Sequence, residues 1–256
     1  MRNWLGLVIV SAVGVIGAAA CSSSPAEKYP SVDSFCAAKA DQECTAVSPV
    51  CGVSIDACKT KRADVCNVGA SAALTAGRKY TPSRVDDCLD KVKKAYASNV
   101  VTPTVYDAMT DACERVFVGS IANFQACKST YECAGGTAIC DKGLCGDKST
   151  KKLGEGCANP GETCDANSFC TKNAPNVCAA RPTSGQPCSA DAPCGAGSRC
   201  NVQCVAVAKA GEPCGVDADC EATAPYCNHY DGSLCTAGLI FSPAEKALCR
   251  DYGGNG

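Results

Sequence analysis

The chain has 256 residues, 25 of them cysteine, with Lys plus Arg at 24 against Asp plus Glu at 26 and a net charge of −2. So even a balance leaves no basic footprint for nucleic acid or for an anionic lipid surface. A cysteine share near one in ten is the level of a disulfide scaffold, here in a chain longer than is usual for that class.

The first element in the chain is a leader. Met1-Arg2-Asn3 is a short positive start, and the 17 residues from Trp4 to Ala20 are apolar and end in Ala18-Ala19-Ala20. Residues 1–20 therefore read as a secretory signal peptide, because a spanning helix needs about 20 apolar residues and no run of small ones at its end. Ala18-Ala19-Ala20-Cys21 resembles the lipobox of bacterial lipoproteins, with Ala19 and Ala20 at that family's small-residue positions and Ala18 where it usually has Leu. The resemblance implies cleavage before Cys21 and a lipid on Cys21, so that the membrane is a partner through that residue. The alternative is ordinary cleavage after Ala20, which yields a secreted protein with a plain thiol at Cys21. Setting Cys21 aside leaves 24 cysteines, an even number that can all pair. Acyl chains contribute ~0.8 kcal/mol per buried methylene, so several of them hold a chain on a membrane stably. In lipoproteins of Gram-negative bacteria an Asp after the lipidated cysteine favours the inner membrane, and Ser22 implies the outer one. Residues 21–30 form the anchor and a flexible tether, since Ser22 to Lys28 is polar and lacks periodic apolar residues. Export also puts the remaining cysteines where disulfides persist.

From Ser31 to Val118 there are 19 Val, Ile, Leu, Met or Phe in 88 residues, at helical spacing, and residues 31–120 are predicted to form an all-α domain of four helices. The first is predicted over Val32 to Ala46 and the second over Ile55 to Gly69, with Ser48-Pro49-Val50-Cys51-Gly52 as the turn between them. Cys44 and Cys58 each lie seven residues from Cys51, and Cys36 and Cys66 each lie fifteen away. Two rungs across an antiparallel helical hairpin require that symmetry, so the expected pairs are Cys44 with Cys58 and Cys36 with Cys66. The third helix is expected to start at Thr81-Pro82 and to bury Val85, Cys88, Leu89, Val92 and Tyr96; the fourth starts at Thr102-Pro103 and presents Val105, Met109, Cys113 and Val116. The short connection Ser98 to Val101 makes them antiparallel, which sets Cys88 opposite Cys113.

Residues 121–236 carry a repeat of four cysteine quartets: Cys127, Cys133, Cys140, Cys145; Cys157, Cys164, Cys170, Cys178; Cys188, Cys194, Cys200, Cys204; and Cys214, Cys220, Cys227, Cys235. Three of them open alike, with GEGC at Gly154, GQPC at Gly185 and GEPC at Gly211, where Gly and Pro mark a turn into the first cysteine. From Cys127 to Cys235 there are 10 large apolar residues in 109, below what a chain needs for a core of its own, so two cross-links per unit must replace one. Connectivity inside the quartets is left open by the spacing. On spacing and on motifs such as GEPCGVDADC, Gly211 to Cys220, the units resemble the short cysteine-rich modules of the Dickkopf amino-terminal and EB types, which occur in arrays on bacterial lipoproteins of the myxobacterial kind. The resemblance implies an extracellular interaction module and transfers no catalytic residue. Residues 237–256 form a last short helix and tail: Ser242-Pro243-Ala244-Glu245 is a capping box, and Gly253-Gly254 stops the helix. This helix carries Cys249, which is left over with Cys51, and the two are expected to pair.

Chemistry-bearing constellations are few. His229, the single histidine, sits in the turn-like Asn228-His229-Tyr230-Asp231-Gly232 with no nucleophile elbow around it. There is no CxxC, the spacing favoured by structural zinc and by thioredoxin-like redox sites, and the tightest gap is Cys200 to Cys204. Asp217, Asp219 and Glu221 alternate like the opening of a calcium loop, but Cys220 interrupts them and the glycine and terminal Glu are missing. Arg181 lies between Cys178 and Cys188 as a protease inhibitor's bait would, yet Pro182 follows it and fixes the backbone where cleavage would occur. The sequence thus predicts a small disulfide-rich protein without enzyme activity, cofactor, metal or nucleic-acid partner. It reads as a cell-surface binding, adhesion or scaffold module for a protein or glycan ligand, and alternatively as a disulfide-braced protease inhibitor.

Overall fold

The computed structural model describes residues 27–230, 232–241 and 246–253. The leader, Cys21, the start of the tether and the Ser242 to Glu245 capping box lie outside the described residues. Among the described residues no helix is long and apolar enough to cross a membrane.

Helix α1 runs Val32–Cys51. Its start is a reciprocal cap, in which the Ser31 hydroxyl accepts the Ser34 N–H and the Ser34 hydroxyl accepts the Ser31 N–H, each at 3.2 Å. Phe35, Cys36, Ala40, Cys44 and Val47 form its buried face. The helix passes through Pro49, where a turn is expected from the sequence. Pro49 lies in the last turn, so its missing N–H forfeits a single ladder bond. The stop comes from Gly52, which takes the left-handed conformation at φ 65° and donates its N–H to the Ser48 carbonyl. Helix α2 runs Ile55–Thr75, six residues past the expected end, because Gly69 stays helical and is followed by Ala70, Ala72 and Ala73.

Strand β1 (Lys79–Tyr80) leads into a 3₁₀ turn at Pro82–Arg84 and then α3 (Val85–Ala95), so Pro82 opens the 3₁₀ turn and not the helix proper. Val85, Cys88, Leu89, Val92 and Tyr96 are buried as expected from their spacing. Strand β2 (Val100–Val101) occupies the connection read as a simple turn. Helix α4 (Pro103–Glu114) buries Met109 and Ala112 and, just past its end, Val116, while Val105 stays exposed, so its apolar stripe is rotated away from Val105. Strand β3 (Phe117–Val118) pairs antiparallel with β1, Tyr80 opposite Phe117. The helices therefore share their core with short strands, and the rings of Phe35, Tyr80 and Phe117 meet at centroid distances of 5.7–6.3 Å.

The repeats are four hairpin units with one plan. The strand pairs are β4 (Ala138–Asp141) with β5 (Leu144–Asp147), β8 (Ser168–Cys170) with β9 (Cys178–Ala180), β10 (Ser198–Asn201) with β11 (Gln203–Ala206), and β12 (Tyr226–Asn228) with β13 (Leu234–Thr236). In each pair the third and fourth cysteines of the quartet stand directly opposite, as in Cys140 across from Cys145. Between the first two hairpins lie β6 (Ser149–Lys151) and β7 (Glu162–Cys164), which are parallel.

The disulfides join first to third and second to fourth cysteine in every quartet, from Cys127–Cys140 and Cys133–Cys145 to Cys214–Cys227 and Cys220–Cys235. The shared GE/GQ opening has a structural cause. Gly154, Gly185 and Gly211 each take a positive φ and donate N–H to the carbonyl of the unit's fourth cysteine at 2.8–2.9 Å. The next residue then caps the turn: the side chains of Glu155, Gln186 and Glu212 accept the backbone N–H three residues back, at 2.7–2.8 Å. In the first unit Phe124 fills the glycine position at φ 65° and keeps the same bond, to Cys145.

The chain then returns to the helices. Strand β14 (Leu239–Ile240) pairs with β2, and the short helix α5 (Lys246–Arg250) carries Cys249 to Cys51, with 5.4 Å between their Cα atoms. Phe241, Leu248 and Tyr252 are buried in the same core as α1 and α3.

Candidate functional site

A cleft of about 440 Å³ opens where α1, α2 and α4 meet the returning C-terminal segment. Every wall is cross-linked. Cys36–Cys66 ties α1 to α2 and Cys44–Cys58 repeats the tie one rung along. Cys88–Cys113 fixes α4 to α3, and Cys51–Cys249 fixes the C-terminal segment. These are the four pairs expected from the hairpin symmetry and from elimination, and Cys66 and Cys113 themselves line the cleft.

The floor is apolar, with Phe35, Ala70, Ala73, Met109, Phe117 and Leu239. One end is charged. Glu43 faces inward from α1 with a side chain only 1% exposed, paired with Lys39 one turn earlier and, at 2.6 Å, with Nε of Arg62 on α2. Burial by itself would raise the Glu43 carboxyl, but the two cations beside it outweigh that and hold it below the usual carboxylate range. Arg62 is half-buried, and the same carboxylate raises its already high pKa against the effect of burial. Its guanidinium lies 4.6 Å over the ring of Tyr252. Tyr252 in turn shares a 2.6 Å hydrogen bond with the Tyr96 hydroxyl and packs edge-on against Phe241. Burial pushes both phenols up, well above the usual value for Tyr96. The rim includes Tyr106, Tyr230 and Asp251, and the Tyr230 hydroxyl donates to Asp251 at 3.2 Å, linking the fourth repeat to the C-terminal segment.

Sequence reasoning missed Lys39, Glu43, Arg62 and Tyr252. A signal was present: Glu43 immediately precedes Cys44 on the core face of an otherwise apolar stripe, four residues after Lys39.

The residues singled out for chemistry lie elsewhere. His229 is exposed on the fourth hairpin, with Nδ1 3.1 Å from the Ser233 hydroxyl. Each member of the acidic trio is committed to the unit's own fold: Asp217 accepts the Cys227 N–H at 2.7 Å, Asp219 accepts from Gly215 and Val216, and Glu221 accepts from Ala210 and Thr223. Arg181 does not project as a bait residue. Its Nε donates to the Ser168 carbonyl at 3.2 Å and one terminal nitrogen to the Cys194 carbonyl at 3.4 Å, so it joins the second unit to the third. Within each repeat three sulfurs lie within 4.8 Å of one another. All belong to disulfides, which present no thiolate to a metal.

The disulfides identify an exported, extracellular type of protein stabilised by covalent cross-links. No family model, curated protein or solved structure matches this chain.

Proposed function

We propose that the chain is a non-catalytic binding module, exported and held at the cell surface by a lipid on Cys21, with the cleft between the helices and the C-terminal segment as its ligand site. The observation that carries this reading is the cleft itself. Its volume falls in the range of small-ligand sites, its floor is apolar with a few convergent polar groups, and its walls are held by covalent bonds. Rigid walls lose little entropy when a ligand binds, so such a site suits recognition. The repeats hold few large apolar residues, 10 from Cys127 to Cys235, and act in this reading as a stiff extension outside the membrane, in keeping with their resemblance to extracellular modules.

The test is a ligand screen by thermal shift on the oxidised protein, run in parallel on Gly69→Trp. Gly69 lines the cleft and a Cβ there meets no atom within 4 Å, so the position accepts a side chain, and the indole is the bulk chosen to block the cleft. Compounds that raise the melting temperature of the native chain but not of Gly69→Trp support the reading; a screen in which no compound discriminates between the two refutes it. A protease panel on the same preparation examines inhibition, and stoichiometric blockade of a protease would replace the binding reading. Mass spectrometry of the processed chain reports the lipid on Cys21.

A further inference from the structure

We propose that the cleft is selective for a small organic carboxylate, with the carboxylate seated on the outer edge of the Arg62 guanidinium and an apolar body lying along Phe35, Met109 and Phe117. This rests on the reading of the cleft as a ligand site and adds the class of ligand. Among the described residues Arg62 donates a hydrogen bond through Nε alone, to Glu43. Its two terminal nitrogens have no acceptor among the described residues, and they are not among the fully buried polar atoms that lack a partner, so they reach the solvent that the cleft holds. The guanidinium is already oriented by Glu43 on one side and the Tyr252 ring on the other. Two parallel N–H donors at a fixed spacing match a carboxylate's two oxygens.

The charge of the inner cluster favours a monoanion. Lys39 and Arg62 against Glu43 leave one net positive charge in the buried cluster. A single carboxylate neutralises it, whereas a dianion would bring a second charge with no partner into a poorly solvated site. Of the other acids that line the cleft, Glu114 pairs with Arg78, and Asp251 keeps its charge at the half-buried rim, where it accepts the Tyr230 hydroxyl. Away from Arg62 the floor is Phe35, Ala70, Ala73, Met109 and Phe117, with Thr110 beside them on α4, so an apolar body suits it.

The test uses 2-naphthoate and its uncharged analogue 2-naphthamide, titrated by calorimetry into the full-length oxidised protein. The expected result is a preference of roughly tenfold or more for the carboxylate. In Arg62→Lys the charge next to Glu43 is kept but the fork is lost, and that preference should fall by about threefold or more while amide binding stays as it was. Gly69→Trp, which leaves Arg62 untouched, should abolish binding of both. Equal affinity for the two probes, a preference undiminished in Arg62→Lys, or no binding of either probe overturns the carboxylate assignment. Should Arg62→Lys not fold, carboxylate binding that survives in Gly69→Trp overturns it instead. Equal binding that Gly69→Trp still abolishes leaves the cleft as a ligand site. Binding that ignores Gly69→Trp removes both readings.

Discussion

Replacing Cys51 and Cys249 together by serine removes the bond that returns the C-terminal segment to the helices. The two cysteines are 198 residues apart, by far the widest separation of any bridge among the described residues. On the chain-entropy account, a closed loop of that length restricts the unfolded chain by about 5 kcal/mol at 25 °C. The other bridges persist in the unfolded state and shorten the covalent path between the two ends. The dependence is logarithmic, so even halving the effective loop changes the figure by only about 0.6 kcal/mol. A repeat bridge such as Cys194–Cys204, with a separation of 10, is worth about 3 kcal/mol on the same account. The double variant should therefore lose roughly 4–5 kcal/mol, more than the corresponding double variant of Cys194 and Cys204. The assay is urea unfolding of the oxidised protein followed by near-UV circular dichroism, whose tyrosine signal comes partly from Tyr96 against Tyr252, 6.2 Å apart. Mass spectrometry confirms that the other bridges remain. A loss below about 2 kcal/mol, or a larger loss from the short bridge, refutes the loop-entropy reasoning.

Three further outcomes follow from local geometry. Glu43→Gln should destabilise the protein by about 3–5 kcal/mol at neutral pH, because it leaves Arg62 and Lys39 half-buried without their counter-charge. The native carboxyl is depressed in the fold, so its contribution is complete above the unfolded value near pH 4.3 and drains away as the pH falls through the lower folded value; urea midpoints measured from pH 2 to 6 should fall on acidification in the native chain and run flatter in the variant. Val202, 81% exposed at φ 65° on the third hairpin, gains nothing from burial and holds a β-branched side chain in the left-handed region, so Val202→Asn should raise stability by about 0.5–1 kcal/mol in the same titration, and a loss would contradict the strain. Gly69→Ala adds a methyl group in open space inside α2 and should stabilise by about 0.5–1 kcal/mol; unchanged stability would mean that α2 is frayed there in solution.

Much of the helical half was legible because its signals are local. Apolar stripes at Val85, Cys88, Leu89 and Val92 face the core as their spacing requires, and equal distances on either side of one turn decide Cys36–Cys66 and Cys44–Cys58. Element ends were less legible. Pro49 stands in the expected turn but lies within a last turn that Gly52 ends, and the second helix, expected to end at Gly69, runs on through alanines that sustain it. The GE/GQ openings were visible as turn signals; their reason, a positive-φ glycine bonded to the fourth cysteine and a side-chain cap behind it, was not.

By itself, then, the sequence determined that covalent bonds replace a core across the repeats and that the helices pair as a cross-linked hairpin, because both follow from composition and from distances along the chain. Only the tertiary structure decided how the quartets connect. With gaps of similar length, alternative pairings close loops of similar entropy, and it is the hairpin register, setting third and fourth cysteines side by side, that leaves each to bond a different partner in the leading loop. The cleft belongs to the same category. Lys39, Glu43, Arg62 and Tyr252 come together because the chain's last residues return to its first helices, and such a juxtaposition across some two hundred residues leaves no periodic trace in the sequence.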